Sequence, residues 1–149
     1  MTDQPIGHTP DGRPIYDNAP TVVAVLAYVN AQPMVVRRNN NPGRGLLALP
    51  GGYQMRGETW QEAGCREVFE ETGWKFDPTD MQFISMATDE YGNNLVIAEN
   101  GKCLGHLGEM DRKEVQEIRF ISHPGDPKDW AFPRHYEAAR SEYYLMADD

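Results

Sequence analysis

Arg66, Glu67, Glu70 and Glu71 are the residues whose types and spacing could do chemistry. On a helix turning about 100° per residue they fall on one arc of roughly 140°, as neighbours three and four apart. Three carboxylates then share a face with one cation. At ~4 Å and an effective dielectric near 20, each like-charge contact would cost about 4 kcal/mol. Solvent relaxes that cost; an enclosed cleft does not. A divalent cation turns the repulsion into coordination, and ligation by oxygen alone suits Mg2+ or Mn2+. A bare E-x-x-E-E is more often a solvated charged face, so the surrounding spacing must decide.

Gly52 is followed after five residues by Glu58, then after seven by Arg66-Glu67, then Val68, Glu70-Glu71, Gly73 and Trp74. This run resembles the Nudix box, G-x5-E-x7-R-E-U-x-E-E-x-G-U with U a bulky apolar residue. Every fixed position matches; Trp74 stands where the family more often has Ile, Leu or Val. The box covers 23 of the 149 residues. The resemblance implies an α/β/α sandwich with a mixed β-sheet between helices. It also implies a metal-dependent hydrolase that cleaves a phosphoanhydride in a nucleoside diphosphate linked to another moiety, with Mg2+ or Mn2+ as cofactor.

By the same resemblance Glu67, Glu70 and Glu71 ligate the metal, with the Gly51 carbonyl as a further ligand. Arg66 orients those carboxylates through charge-assisted hydrogen bonds, with Glu70, one turn away, as its nearest partner. Glu58 is structural, an anion near the helix N-terminus where the dipole favours it. Gly51 and Gly52 let the backbone approach metal and phosphates, Gly73 reverses the chain, and Val68 anchors the helix. The proton of the attacking water goes to Glu67 in some family members and to a carboxylate on a later loop in others. Within Glu109 to Glu117 (EMDRKEVQE), Glu114 is favoured over Asp111, although a charged surface turn explains either equally well.

Hints about the substrate conflict. The lead-in NPGRGLLALPGG resembles that of ADP-ribose or nicotinamide-dinucleotide hydrolases, yet no proline lies between Pro78 and Pro124, where ADP-ribose hydrolases tend to carry one. Tyr91, 17 residues after Trp74, lies where diadenosine polyphosphate hydrolases place a tyrosine. A base could stack on Tyr91 or Trp60. Arg37, Arg38 and Arg44 precede the box and could grip a phosphate, or could equally be solvated strand-end arginines. A nucleoside triphosphate is a further candidate.

The elements that must position these residues follow from local pattern. Thr59-x-x-Glu62 is a capping box opening the carboxylate helix, and Thr72-Gly73 closes it. Thr21 to Val29 is a near-continuous apolar run, suited to a strand buried on both faces. Further strands fit Gln32 to Arg38, Gly45 to Leu49, Met81 to Thr88, Asn94 to Glu99 and Val115 to Ile121. A C-terminal helix fits Arg134 to Met146, with Tyr136, Ala139, Tyr143 and Met146 on one face. Residues 1–20, with six prolines and glycines, read as an irregular arm before a single domain over 21–149.

The bulk composition excludes other classes. A chain of 149 residues fits one core, and 40% apolar with 25% charged residues is ordinary for a globular protein. A net charge of −9 argues against a nucleic-acid binder that relies on Lys and Arg, while a bound cation would still let an acidic protein handle phosphates. Cys65 and Cys103 suggest reduced thiols, and Cys103-x-x-His106 lacks the second half of a zinc site. No apolar run approaches a membrane span and no signal layout opens the chain, so a cytoplasmic protein acting on a small-molecule nucleotide is expected. A homodimer stays open. Two other readings compete: a non-catalytic nucleotide-sensing or interaction module on the same fold, and an acidic globular protein whose helix face is merely solvated.

Overall fold

The run Thr21–Val29 is apolar at nearly every position, and in the computed structural model it forms the central strand. Residues 3–147 are described, with side chains up to residue 143. We label this strand β3, counting from the N-terminus. Because side chains alternate along a strand, Val23, Val25 and Ala27 enter one core layer while Ala24 and Leu26 enter the other. Both sets are buried, as a run without polar alternation requires.

Around β3 lies a seven-stranded mixed sheet. Strand β4 (Gln32–Arg38) pairs antiparallel with it and β9 (Asn94–Asn100) parallel. The edges are β11 (Val115–Phe120), beyond β4, and β8 (Gln82–Thr88), beyond β9. Two short strands complete it: β5 (Leu47–Ala48) on β4 and β6 (Gly51–Tyr53) on β3. Helix α1 (Trp60–Thr72) covers one face with Ala63, Cys65 and Val68 against Val23, Val25 and Met34. Helix α2 (Pro133–Ala147) and the segment before it cover the other, with Ala139 and Trp130 against Leu26, Val35, Leu49 and Ile97. This is the expected α/β/α sandwich.

Helix α1 begins and ends where its sequence says. Thr59 accepts the Glu62 N–H at 3.1 Å and the Glu62 carboxylate accepts the Thr59 N–H at 2.9 Å, a complete capping box. At its end Gly73 adopts φ 78° and its N–H closes on the Phe69 carbonyl. A β-carbon there would lie 2.3 Å from the Gly108 carbonyl oxygen, so both conformation and space demand glycine.

Three stretches differ from expectation. Residues 1–20 are not irregular throughout: β1 (Pro5–His8) and β2 (Pro14–Tyr16) form an antiparallel hairpin. Each proline begins its strand, where a missing N–H breaks no central ladder. The strand expected over Gly45 to Leu49 contracts to β5, and β6 and the pair β7 (Trp74–Phe76) with β10 (Cys103–His106) are additions too short for periodicity to show. Helix α2 starts at Pro133, which suits a first helical position, with Tyr136 and Ala139 turned inward but Tyr143 exposed. Met146 lies outside the described side chains. Cys65 and Cys103 are free thiols, and among the described residues no helix is long and apolar enough to cross a membrane.

Candidate active site

The last two turns of α1 and the short strand β6 meet at a cleft of about 430 Å³. Gly51, Gly52, Glu67, Glu71 and Glu114 all line it, so two elements and the turn before β11 converge on one space. The packing is close. A β-carbon on Gly51 would lie 2.1 Å from the Val23 carbonyl oxygen, and one on Gly52 would lie 2.5 Å from the carboxyl carbon of Glu67. The two glycines therefore let β6 sit on β3 and leave room for a carboxylate, rather than only opening the backbone to a ligand as the sequence suggests.

The electrostatics of the cleft are those of crowded anions. Burial holds the Glu67 carboxyl above the usual range; Arg66 opposes this, and the charges of Glu70 and Glu114 add to it. Glu71 is pushed up much further, again by burial first, then by Glu67 and Glu114. Against that stand a 3.4 Å hydrogen bond from the Gly51 N–H and the more distant charge of Arg38. Among the described residues no three acidic, His or Cys side chains already stand in a ligating arrangement. The donor set nevertheless fits a hard divalent cation: carboxylate oxygens facing one cleft, the deepest of them without an ion-pair partner.

Arg66 is the hub of the acidic residues: it bonds Glu67 and Glu70 as expected and, beyond expectation, Glu58 most closely. Its Nε and Nη2 donate to both oxygens of Glu58 at 2.9 and 2.7 Å, a bidentate pair. Nη1 donates to Glu67 at 2.9 Å and to Glu70 at 3.1 Å, and Nη2 also reaches the Tyr53 carbonyl. Glu58, not Glu70, is thus the principal partner, because the chain from Tyr53 folds back beside the helix. Arg66 first, and the Met55 N–H second, hold the Glu58 carboxyl down at about 2. Glu58 serves Arg66 more than it serves the helix dipole. Glu70 does not line the cleft; it sits half-exposed against Arg66.

The remaining candidates separate. Arg38 lines the cleft, its guanidinium 5.0 Å over the Phe132 ring and its Nε donating to the Pro42 carbonyl at 2.7 Å. Arg37, its neighbour on β4, points to the other face as strand alternation demands, and is tied to Glu117 at 2.8 Å and the Gly45 carbonyl at 2.9 Å. Arg44 is exposed and off the cleft. Neither Arg37 nor Arg44 is brought to the site. Tyr91 lines the cleft, its ring edge-on to Phe132 at 6.4 Å. Trp60 packs on Phe83 instead. Of the two loop acids, Glu114 faces the cleft, whereas Asp111 holds the turn by accepting the Lys113 N–H.

Sequence reasoning missed Asn93, Phe132 and His135, which also line the cleft. The last two arrive because Ala131 donates its N–H to the Leu47 carbonyl at 2.8 Å and Trp130 is buried beside β5. The signal that could have found them is the aromatic run Trp130-Ala131-Phe132-Pro133 just ahead of a helix.

Comparison with known proteins places these observations. The family model described as NUDIX domain matches residues 18–124. An ADP-ribose pyrophosphatase of Methanocaldococcus jannaschii is 52% identical over 40 residues, which is 27% of this chain. The match spans only 24% of that relative's length. A NUDIX hydrolase from Nitrosomonas europaea shares the fold with TM-score 0.73 and 16% identity, covering 95% of this chain and 80% of that one. A bifunctional NMN adenylyltransferase/ADP ribose pyrophosphatase from Francisella tularensis, solved with AMP and a Mn ion, gives TM-score 0.63 and 21% identity over 89% of this chain and 42% of that one.

Proposed function

The chain belongs to the Nudix family, and from that premise we propose a hydrolase that uses water and Mg2+ or Mn2+ to cut a nucleoside diphosphate linked to a second group. ADP-ribose is the favoured substrate. The observation that carries this reading is the convergence of Glu67, Glu71 and Glu114 on a cleft that Arg38 also enters. The names of the Methanocaldococcus jannaschii and Francisella tularensis proteins support the substrate. Tyr91 on the cleft wall keeps diadenosine polyphosphates as the next class to try.

Glu67 and Glu71, with the Gly51 carbonyl, would hold the cation, and Glu70, outside the cleft lining and bonded to Arg66, would join them only by turning from that pair toward the ion. When bound, the cation would supply charge neutralisation on the diphosphate and acidify a water. Arg66 fixes Glu67 against Glu58, so that this carboxylate keeps one orientation. Glu114 is the proton acceptor: its carboxylate has no hydrogen-bond partner among the described residues, whereas Glu67 is engaged by Arg66. Arg38 grips the phosphates, and Tyr91 offers its ring to the base.

A substrate panel with Mg2+ and with Mn2+, identifying both products, tests the reading. AMP and ribose 5-phosphate from ADP-ribose are expected, and ¹⁸O-labelled water shows which phosphorus is attacked. Undiminished turnover in chelator, or no product from any nucleotide, would overturn it.

A further inference from the structure

His135 is placed and kept neutral in a way that fixes what it can do. Its side chain stands in the first turn of α2, is only 7% exposed, and yet lines the cleft. Nδ1 accepts the Leu49 N–H at 3.1 Å. A ring nitrogen that accepts carries no proton, so in the neutral ring the proton resides on Nε2. Burial depresses its pKa to about 3, with Arg38 adding to the effect, so the neutral ring persists at working pH.

No described residue accepts from Nε2. Nor is that nitrogen sealed in: among the described residues, the buried side-chain polar atom without a partner is the Tyr28 hydroxyl. The Nε2–H is therefore an unused, unsealed donor on a residue that lines the cleft. Two rings lie near His135, Phe132 at 4.8 Å and Tyr91 edge-on to Phe132 at 6.4 Å, while the opposed charges of Arg38 and Asp89 act on it together. A neutral donor among rings suits a neutral acceptor; phosphate oxygens are better served by Arg38.

We infer that His135 is a substrate-binding residue, whose Nε2–H donates to an acceptor on the nucleoside portion of the substrate while Nδ1 holds the Leu49 backbone. The inference rests on the hydrolase reading above. Burying an uncharged donor there also sets specificity, because a substrate lacking the acceptor leaves that donor unpaired.

Two variants separate the ring's two bonds. His135→Asn keeps an acceptor near the Nδ1 position and loses the donor; His135→Gln keeps a donor near Nε2 and loses the backbone bond. With ADP-ribose and Mn2+, His135→Asn should keep its Tm and raise KM roughly tenfold, the worth of one hydrogen bond. His135→Gln should lower Tm with KM near wild type. A His135→Asn enzyme with unchanged Tm and KM overturns the inference and leaves the hydrolase reading intact. A wild type that turns over no nucleotide defeats both. Should the variants not fold, nitrogen-15 NMR of the wild-type imidazole decides: AMP in chelator should shift the Nε2–H signal and inorganic phosphate should not. No shift with AMP overturns the inference.

Discussion

The carboxyl carbon of Glu67 sits 2.5 Å from the point that a β-carbon on Gly52 would occupy, so the absence of a side chain at one position is what houses the side chain at the other. The obstacle is the end of a side chain, which can swing aside, whereas a β-carbon on Gly51 would meet the backbone of Val23 and Ala24. The two adjacent glycines should therefore fail differently. Gly51→Ala is expected to destabilise the fold by about 3 kcal/mol or more, by overpacking against a strand that cannot yield. Gly52→Ala should keep most of its stability and lose on the order of 100-fold in kcat through a displaced Glu67. Denaturant melts and steady-state kinetics on the pair check this.

Glu58 holds Arg66 in a bidentate grip, and Arg66 holds Glu67. Glu58→Gln removes the charge while leaving an acceptor for the Met55 N–H. Loss of this supporting contact should raise the Mn2+ concentration for half-maximal activity about 10- to 100-fold. A metal titration of turnover measures it; an unchanged requirement would show that Arg66 needs no anchor.

Glu71 is a carboxylate kept well above its usual pKa by burial and by two like charges. Its presence is costly without a cation. Glu71→Gln keeps an acceptor for the Gly51 N–H and removes the charge, so in chelator its Tm should rise by a few degrees, about 2–4 °C per kcal/mol. Turnover should fall by orders of magnitude. Calorimetric melts in chelator and in Mn2+ test the trade: the cation should raise the wild-type Tm and leave the variant's nearly unmoved.

His135 gives a pH dependence separate from the carboxylates. Its pKa is about 3 when folded against 6.5 as a free side chain. Below pH 6.5 the unfolded chain therefore takes up a proton that the folded one refuses. Stability from this group is fully present above pH 6.5 and falls as pH drops toward 3. Between pH 6.5 and 5 the loss should be roughly 1–2 kcal/mol. His135→Asn should flatten that slope in urea melts; an equal slope in both proteins would refute it.

How much of this was legible in the sequence depends on how local each feature is. Helix α1 was readable to its ends, because Thr59, Glu62 and Gly73 act within one turn of the backbone they cap. Strand β3 was readable because burial on both faces leaves no polar alternation. What needed the fold was anything set by pairing. Arg37 and Arg38 look alike in sequence, and only the register of β4 sends one to Glu117 and the other to the cleft. Phe132 and His135 stand 80 or more positions from Gly51 and reach its cleft only because Ala131 bonds to Leu47. Arg66 keeps Glu70 one turn away but grips Glu58 more closely, because a loop, not the helix period, brings Glu58 alongside. The hairpin of β1 and β2 was hidden by its prolines.

If the acidic flank of α1 gathers a divalent cation in the cleft, the ion should be visible there directly. Anomalous diffraction from a crystal soaked in Mn2+ tests it without reference to substrate or turnover. A peak touching Glu67 and Glu71 is expected, lost in Glu71→Gln crystals. A soaked wild-type crystal whose cleft carries no anomalous peak there would contradict it.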